Sequence, residues 1–123
     1  MEEYIAPLDR ILLALYYTSD ESGLDLDQIK HLAGLSKRED IAIALSFEIK
    51  QLPEDISLDQ CLLDWLKTLL QDGYLSYIQN DQGKRVYFLS YYGGMLVTFL
   101  QYKFKEPLLF FSNNGRFPWV SAS

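Results

Sequence analysis

The chain has very few of the residues from which metal and catalytic centres are built. Among its 123 residues there is one cysteine, Cys61, and one histidine, His31. A single cysteine excludes an internal disulfide and a cysteine zinc cluster, and a single histidine excludes paired-histidine metal sites. The sequence also lacks a phosphate-binding glycine loop and a nucleophile elbow. We therefore expect no enzyme activity, no catalytic residue, no metal and no cofactor.

Long apolar runs and a secretory leader are missing as well. No uninterrupted apolar stretch reaches the length of a membrane span. The first residues are acidic and do not follow the basic-then-apolar order of a signal peptide. Hydrophobic residues make up 49% of the chain, which is enough for one core at this length. We expect a soluble cytoplasmic protein without a membrane partner.

Positive charge is scarce. Eleven Lys and Arg residues stand against seventeen Asp and Glu residues, which gives a net charge of −6. Nucleic-acid-binding domains usually carry the opposite excess, because they must neutralise phosphates. Residues 73–123 differ from the rest, with five basic residues against two acidic ones. Any anion-binding surface is therefore expected in the C-terminal half.

Helical patterns fill the first half of the chain. Pro7 suits the first turn of a helix that ends before Gly23, and the wide apolar stripe of this helix predicts that it is largely buried. Three later helices each open with a capping box, in which a Ser or Asp side chain and a Glu or Gln three residues later satisfy free backbone groups. The boxes are Asp25 with Gln28, Ser36 with Glu39, and Ser57 with Gln60.

The ends of these helices are marked by glycine and proline. The second helix is predicted to stop at Gly34 and the third before Pro53, whereas the fourth runs to Gly73. The fourth has the clearest apolar repeat, which predicts its buried stripe. That stripe consists of Leu58, Cys61, Leu62, Trp65, Leu66, Leu69 and Leu70. Cys61 is accordingly expected to be an inert core thiol, and Trp65 to lie mid-stripe.

The pattern then changes from helical to extended. Residues 74–79 and 84–89 are rich in strand-forming residues and flank the turn sequence 80–83 (NDQG), which predicts a β-hairpin. Ser90 is expected to cap a fifth helix. Leu96, Phe99 and Leu100 form its predicted apolar side.

Residues 106–123 form an apolar C-terminal arm, distinct from a first unit of residues 1–105. Asn-Gly between two apolar runs favours a second hairpin there. So many large apolar side chains must pack on their own domain or on a second subunit. The residues expected to contact a dimer mate or another protein are Leu109, Phe110, Phe111, Phe117 and Trp119.

The order of these elements resembles a winged helix-turn-helix domain. Residues 62–100 are similar to the recognition helix, wing and following helix of PadR-like and MarR-like regulators. The matching phrases are Asp72-Gly73-Tyr74-Leu75, Gly83-Lys84-Arg85-Val86-Tyr87 and Leu89-Ser90-Tyr91-Tyr92-Gly93. The resemblance implies a homodimeric transcriptional regulator that binds double-stranded DNA. Phosphate contacts would then come from Lys84 and Arg85 on the wing, with Lys37 and Arg38.

Two features depart from that family and keep alternatives open. The helix predicted after Ser36 is additional, so the DNA-reading helix is either the one at 37–52 or the one at 58–72. The second of these exposes Asp59, Asp64 and Asp72, which repel phosphates. The alternative function is an acidic protein–protein interaction module that has this fold and does not bind DNA.

Overall fold

The computed structural model describes residues 5–18, 22–45, 49–105, 108, 109, 113, 115, 117 and 119. Their helices and strands, in chain order, are α1 (Pro7–Thr18), α2 (Leu26–Leu32), α3 (Arg38–Ala44), α4 (Leu58–Gln71), β1 (Leu75–Gln79), β2 (Arg85–Leu89) and α5 (Tyr91–Lys103). A 3₁₀ turn, Ile49–Gln51, lies between α3 and α4. This part of the chain is therefore mainly helical with a small antiparallel hairpin, as the sequence predicts. None of its helices has both the length and the apolarity to cross a bilayer.

Helix α1 is the centre of the core. Its first residue is Pro7, which suits the first turn because it has no N–H to leave unpaired. Five consecutive side chains, from Ile11 to Leu15, are buried. They can all be buried because α2, α4, α5 and β2 pack around α1. The prediction of a largely buried first helix is confirmed.

The caps of α2 and α4 follow the sequence closely. At α2 the Asp25 carboxylate accepts from the Gln28 N–H at 2.9 Å, and the Gln28 side chain accepts from the Asp25 N–H at 2.9 Å. At α4 the Ser57 hydroxyl accepts from the Gln60 N–H at 3.1 Å. The Gln60 amide, however, donates to Asp64 at 2.9 Å. The first capping box is thus complete, and the second is formed on one side.

Helix α3 differs from its prediction at both ends. It begins at Arg38, and the Lys37 N–H donates to the Asp40 carboxylate at 3.3 Å. The Asp40 carboxylate therefore caps the start of the helix, in place of the predicted pair of Ser36 and Glu39. The helix ends at Ala44, well before Pro53, and a separate 3₁₀ turn precedes that proline. The predicted single helix up to Pro53 is wrong.

The apolar stripe of α4 is narrower than predicted. Leu62, Leu66 and Leu69 are buried, whereas Cys61 and Trp65 are half-buried. The three leucines face the core directly. Side chains on either side of them lie at the edge of the contact and are only partly covered. Trp65 is therefore a rim residue and not the middle of the stripe.

The hairpin has the predicted position and turn. Leu75 pairs with Leu89 at its base and Gln79 with Arg85 near its tip. Gly83 has a φ of 77°, a left-handed conformation that favours glycine in the turn. Leu24 adds a bridge to the outer edge of β2: its N–H donates to the Tyr87 carbonyl at 3.1 Å, and the Tyr87 N–H donates back at 2.8 Å. The hairpin is thereby attached to the segment before α2.

Helix α5 is capped as predicted but rotated from its prediction. The Ser90 hydroxyl accepts from the Gly93 N–H at 3.1 Å. The buried residues are Gly93, Val97 and Leu100, whereas Phe99 is 63% exposed, so its predicted place on the buried side is wrong. Gly93 sets the rotation, because a Cβ there would lie 2.1 Å from the Tyr74 carbonyl oxygen. The helix can pack this closely only with glycine facing β1.

Candidate functional site

The two basic residues of the hairpin lie together at the start of β2. The Asn80 side chain shapes the turn before them, because its oxygen accepts from the N–H groups of Gln82 at 2.9 Å and Lys84 at 3.0 Å. Lys84 and Arg85 are both exposed. The Arg85 guanidinium lies over the Tyr77 ring on the paired strand, 4.4 Å from its centroid. This cation–π contact directs Arg85 along the hairpin.

Both bases line a surface cleft of about 370 Å³ that we call the hairpin cleft. Its apolar lining comes from Leu26, Leu63 and Tyr87. The remaining lining residues are three acids, Asp25, Asp27 and Asp59. The acids come from the N-terminal ends of α2 and α4, where carboxylates are favoured by the helix dipole. The positive potential of the hairpin bases is therefore opposed by acids of the same chain.

A third base ties two of these acids together. The Lys30 ammonium lies 2.8 Å from an Asp59 oxygen and 3.6 Å from an Asp27 oxygen. The hydrogen bond with Asp59 raises the pKa of Lys30 above its usual value, and the nearby charge of Asp27 adds to it. The pair joins α2 to the first turn of α4. Lys30 is thus engaged within the chain.

Lys37 and Arg38 lie away from the hairpin bases. They are at the start of α3, and neither lines the hairpin cleft. An Arg38 Nη donates to the Pro53 carbonyl at 3.2 Å, which holds the segment before α4. The four residues predicted to contact phosphate therefore form two separate pairs.

The outward face of α4, the helix that precedes the hairpin, is acidic. Asp59, Asp64 and Asp72 are all exposed, with Lys67 as the one basic residue of the helix. Gln60, whose amide could otherwise read a base edge, donates to Asp64. This face offers few of the donors that major-groove readout requires.

The described aromatic residues of the C-terminal arm pack on their own chain. Phe117 is 1% exposed and stacks on Trp119, with 4.7 Å between ring centroids. The Trp119 indole N–H donates to the Leu32 carbonyl at the end of α2, at 2.7 Å. The structure thus places two of the five predicted contact residues against the core and not on a free surface.

Two further apolar residues of the arm, Leu108 and Leu109, are described. Leu108 is buried and Leu109 is exposed, and both are helical rather than extended as the favoured second hairpin would require. The Leu108 N–H donates to the Phe104 carbonyl, four residues earlier in the chain, at 3.2 Å. Phe110 and Phe111, the other two predicted contact residues, lie outside the described residues.

The described residues include an extended exposed apolar surface, part of which was predicted to be buried. It lies on α5 opposite the buried residues, and we call it the outer face of α5. Tyr91 and Tyr102 are 80% and 85% exposed, so their rings have almost no cover. The full set is Tyr91, Tyr92, Met95, Phe99 and Tyr102. The spacing of residues 91, 95 and 102 along one helical face was the available signal.

The remaining reactive groups are unremarkable. Burial raises the pKa of the Cys61 thiol, and the charge of Asp64 adds to the effect. Within the described ranges, no three His, Cys, Asp or Glu side chains are grouped as a metal site.

Comparison with known proteins adds no relative. No protein-family model, curated protein or solved structure matches the chain. The function is therefore argued from the hairpin cleft and the outer face of α5.

Proposed function

We propose that this protein is an interaction module with a winged-helix-like layout, which binds protein through the outer face of α5. The observation that carries the proposal is the row of exposed aromatic side chains on α5, which includes Tyr91 and Tyr102. Aromatic residues are enriched in the centres of protein–protein interfaces, where they bury much area at little cost in conformational entropy.

The layout rests on the order of elements. A helix, a bridge strand, further helices, a hairpin and a last helix follow one another as in winged helices. Leu24 supplies the bridge strand, since it pairs with Tyr87 on the outer edge of β2. This arrangement supports the fold assignment but not a function, because one fold serves many functions.

The composition of α5 supports binding to protein. The helix is apolar on its inner face and on its outer face, and Lys103 is its one charged residue. A helix that is apolar all round is normally covered on every side. In the described chain the core covers α5 on one side, so a partner is expected to cover the other.

The charge of the hairpin cleft disfavours DNA. A phosphate that approached Lys84 and Arg85 would also approach Asp25, Asp27 and Asp59. Attraction and repulsion of similar size leave little net gain, and two or three phosphate contacts give weak binding at physiological salt.

A DNA-binding regulator is the second candidate. Lys84 and Arg85 favour it, because both are exposed on the hairpin and no carboxylate of the described residues forms an ion pair with either. A hairpin tip in this position can reach phosphates or a minor groove. The two candidates predict contacts on different elements, α5 in one case and the hairpin tip in the other.

Site-specific photo-crosslinking in cells separates them. A benzophenone amino acid replaces Tyr102 on the outer face of α5 in one variant and Gln82 at the hairpin tip in the other; both positions are exposed. We expect a discrete protein adduct from position 102 and none from position 82. The proposal fails if position 102 gives no protein adduct. The DNA candidate gains support if genomic fragments are retarded at low salt and the Lys84→Ala/Arg85→Ala variant loses that retardation.

A further inference from the structure

The outer face of α5 has the spacing of a helix–helix seam. Tyr91, Met95, Thr98 and Tyr102 are separated by four, three and four residues, a repeat of about 3.5 that keeps one line of side chains facing a partner helix. Thr98 fits the seam because its hydroxyl donates to the Gly94 carbonyl at 3.2 Å. Its polar group is satisfied within the helix, and its methyl group is left to pack.

The size of this face matches half of a stable dimer. An aromatic side chain buries about 150–250 Å² when fully covered. From the exposed fractions of Tyr91, Tyr92, Met95, Phe99 and Tyr102, the face offers ~650 Å² per chain. Two such faces would bury ~1,300 Å² in total, within the range of specific interfaces.

The lack of charge on the outer face of α5 indicates what kind of partner it can bind. The chain carries a net charge of −6, so two copies repel each other over most of their surfaces. Helix α5 has no carboxylate, and its one base, Lys103, lies in the last turn with its ammonium over the Phe104 ring at 5.1 Å. A strongly charged partner would find no complementary charge here. A second neutral, aromatic face would be fully complementary.

We propose that the occupant is a second copy of this chain, paired through α5 in a two-fold symmetric dimer. In such an interface the same patch serves both subunits, which a flat, neutral row of aromatic side chains satisfies. This inference rests on the proposed function and names its partner. It places the dimer contact on α5, whereas the sequence placed it on the arm at residues 106–123.

Sedimentation equilibrium of the full chain tests the proposal. Met95 and Ile78 are each 56% exposed, but Ile78 lies on β1, away from α5. We expect the parent and Ile78→Glu to have twice the 14.3 kDa chain mass at micromolar concentrations. Met95→Glu should weaken the dimer about 100-fold, since each copy would bring an unpaired charge into the apolar interface. Tyr102→Glu should act alike, and circular dichroism checks that each variant is folded.

A parent that stays at 14.3 kDa at several hundred micromolar overturns the dimer. So does a parent dimer that both Met95→Glu and Tyr102→Glu leave intact. The crosslink at position 102 separates this failure from that of the proposed function. If the chain crosslinks to a different protein, the dimer proposal is wrong and the proposed interaction module stands. If no adduct forms, both proposals are wrong.

Discussion

Both faces of α5 are apolar, aliphatic on the inner side and rich in aromatic residues on the outer side, and their surroundings are opposite. On the inner face Val97 and Leu100 are buried, whereas on the outer face Met95 and Tyr102 are exposed. Hydrophobicity therefore does not decide which face meets the core. The decision comes from shape, because Gly93 lets the backbone approach the Tyr74 carbonyl and any larger residue would hold it away. The rotation of α5 is thus tied to the close approach at Gly93 and not to Gly94, where nothing lies within 4 Å.

Large-to-small substitutions on the two faces of α5 should give the largest difference in the free energy of unfolding. Leu100→Ala should lower the free energy of unfolding by about 3 kcal/mol, because it leaves a cavity against α1. Tyr102→Ala should change it by less than about 0.5 kcal/mol in the monomer. Urea denaturation at concentrations below dimerisation measures both. Equal losses would mean that the two faces are not distinguished as described.

The adjacent residues Gly93 and Gly94 allow a second comparison, between a closely packed and an open position on α5. Gly93→Ala should destabilise the fold by about 2 kcal/mol, because the new Cβ meets the Tyr74 carbonyl. Nothing lies within 4 Å of a Cβ at position 94, so Gly94→Ala should stabilise the monomer by up to about 1 kcal/mol. Thermal melting of the two variants should therefore shift in opposite directions. A stabilised Gly93→Ala variant would disprove the close contact.

The charged surface should respond more weakly than either face of α5. Asp59→Asn removes the ion pair with Lys30, and because the Asp59 side chain is 55% exposed, solvent screening should limit the loss of stability to about 0.5 kcal/mol. The fold raises the pKa of Lys30, so the contribution is complete below its ordinary value of 10.5 and is lost as the pH rises beyond it. The difference between parent and variant should accordingly be visible at pH 7 and vanish at high pH. A difference that grows with pH would contradict this assignment.

The smallest effect is expected at Cys61, on the rim of the α4 stripe. Burial raises the pKa of its thiol, so at pH 8 less of it is the reactive thiolate than in an unfolded chain. Alkylation by iodoacetamide should be slower in the native protein than in urea. Equal rates would place Cys61 in open solvent.

Local signals were predictable from the sequence, and relations between distant elements were not. The caps at Asp25, Ser57 and Ser90 depend on residues within a few positions, and all three form. The hairpin has its predicted turn for the same reason. The box predicted at Ser36 did not form, because Asp40 serves the start of α3 instead. The rotation of α5 depends on the contact of Gly93 with the Tyr74 carbonyl, which lies outside the helix, so local periodicity misplaced it.

For the candidate site, too, the residues could be identified from local sequence, but their packing partners could not. Lys84 and Arg85 were identified from their place beside the turn, but the acids that face them come from α2 and α4. Phe117 and Trp119 were identified as apolar residues that need a partner. Both find it in their own chain, since Trp119 bonds to the end of α2 and Phe117 packs edge-on against Tyr17 of α1. The outer face of α5 was assigned in part to the core, because exposure of an all-apolar helix cannot be read from its composition.

The bond from Trp119 to Leu32 also bears on the order of folding. It joins residues 87 positions apart, and the Trp119 ring lies where any side chain at Gly34 would have to go. The corner between α2 and α3 can therefore be completed only once residue 119 has been synthesised and is free to pack. Until then the α2 end carbonyl and the Phe117 site are open, and closing so long a loop is slow. During this interval a nascent chain of this protein would be most accessible to chaperones and proteases.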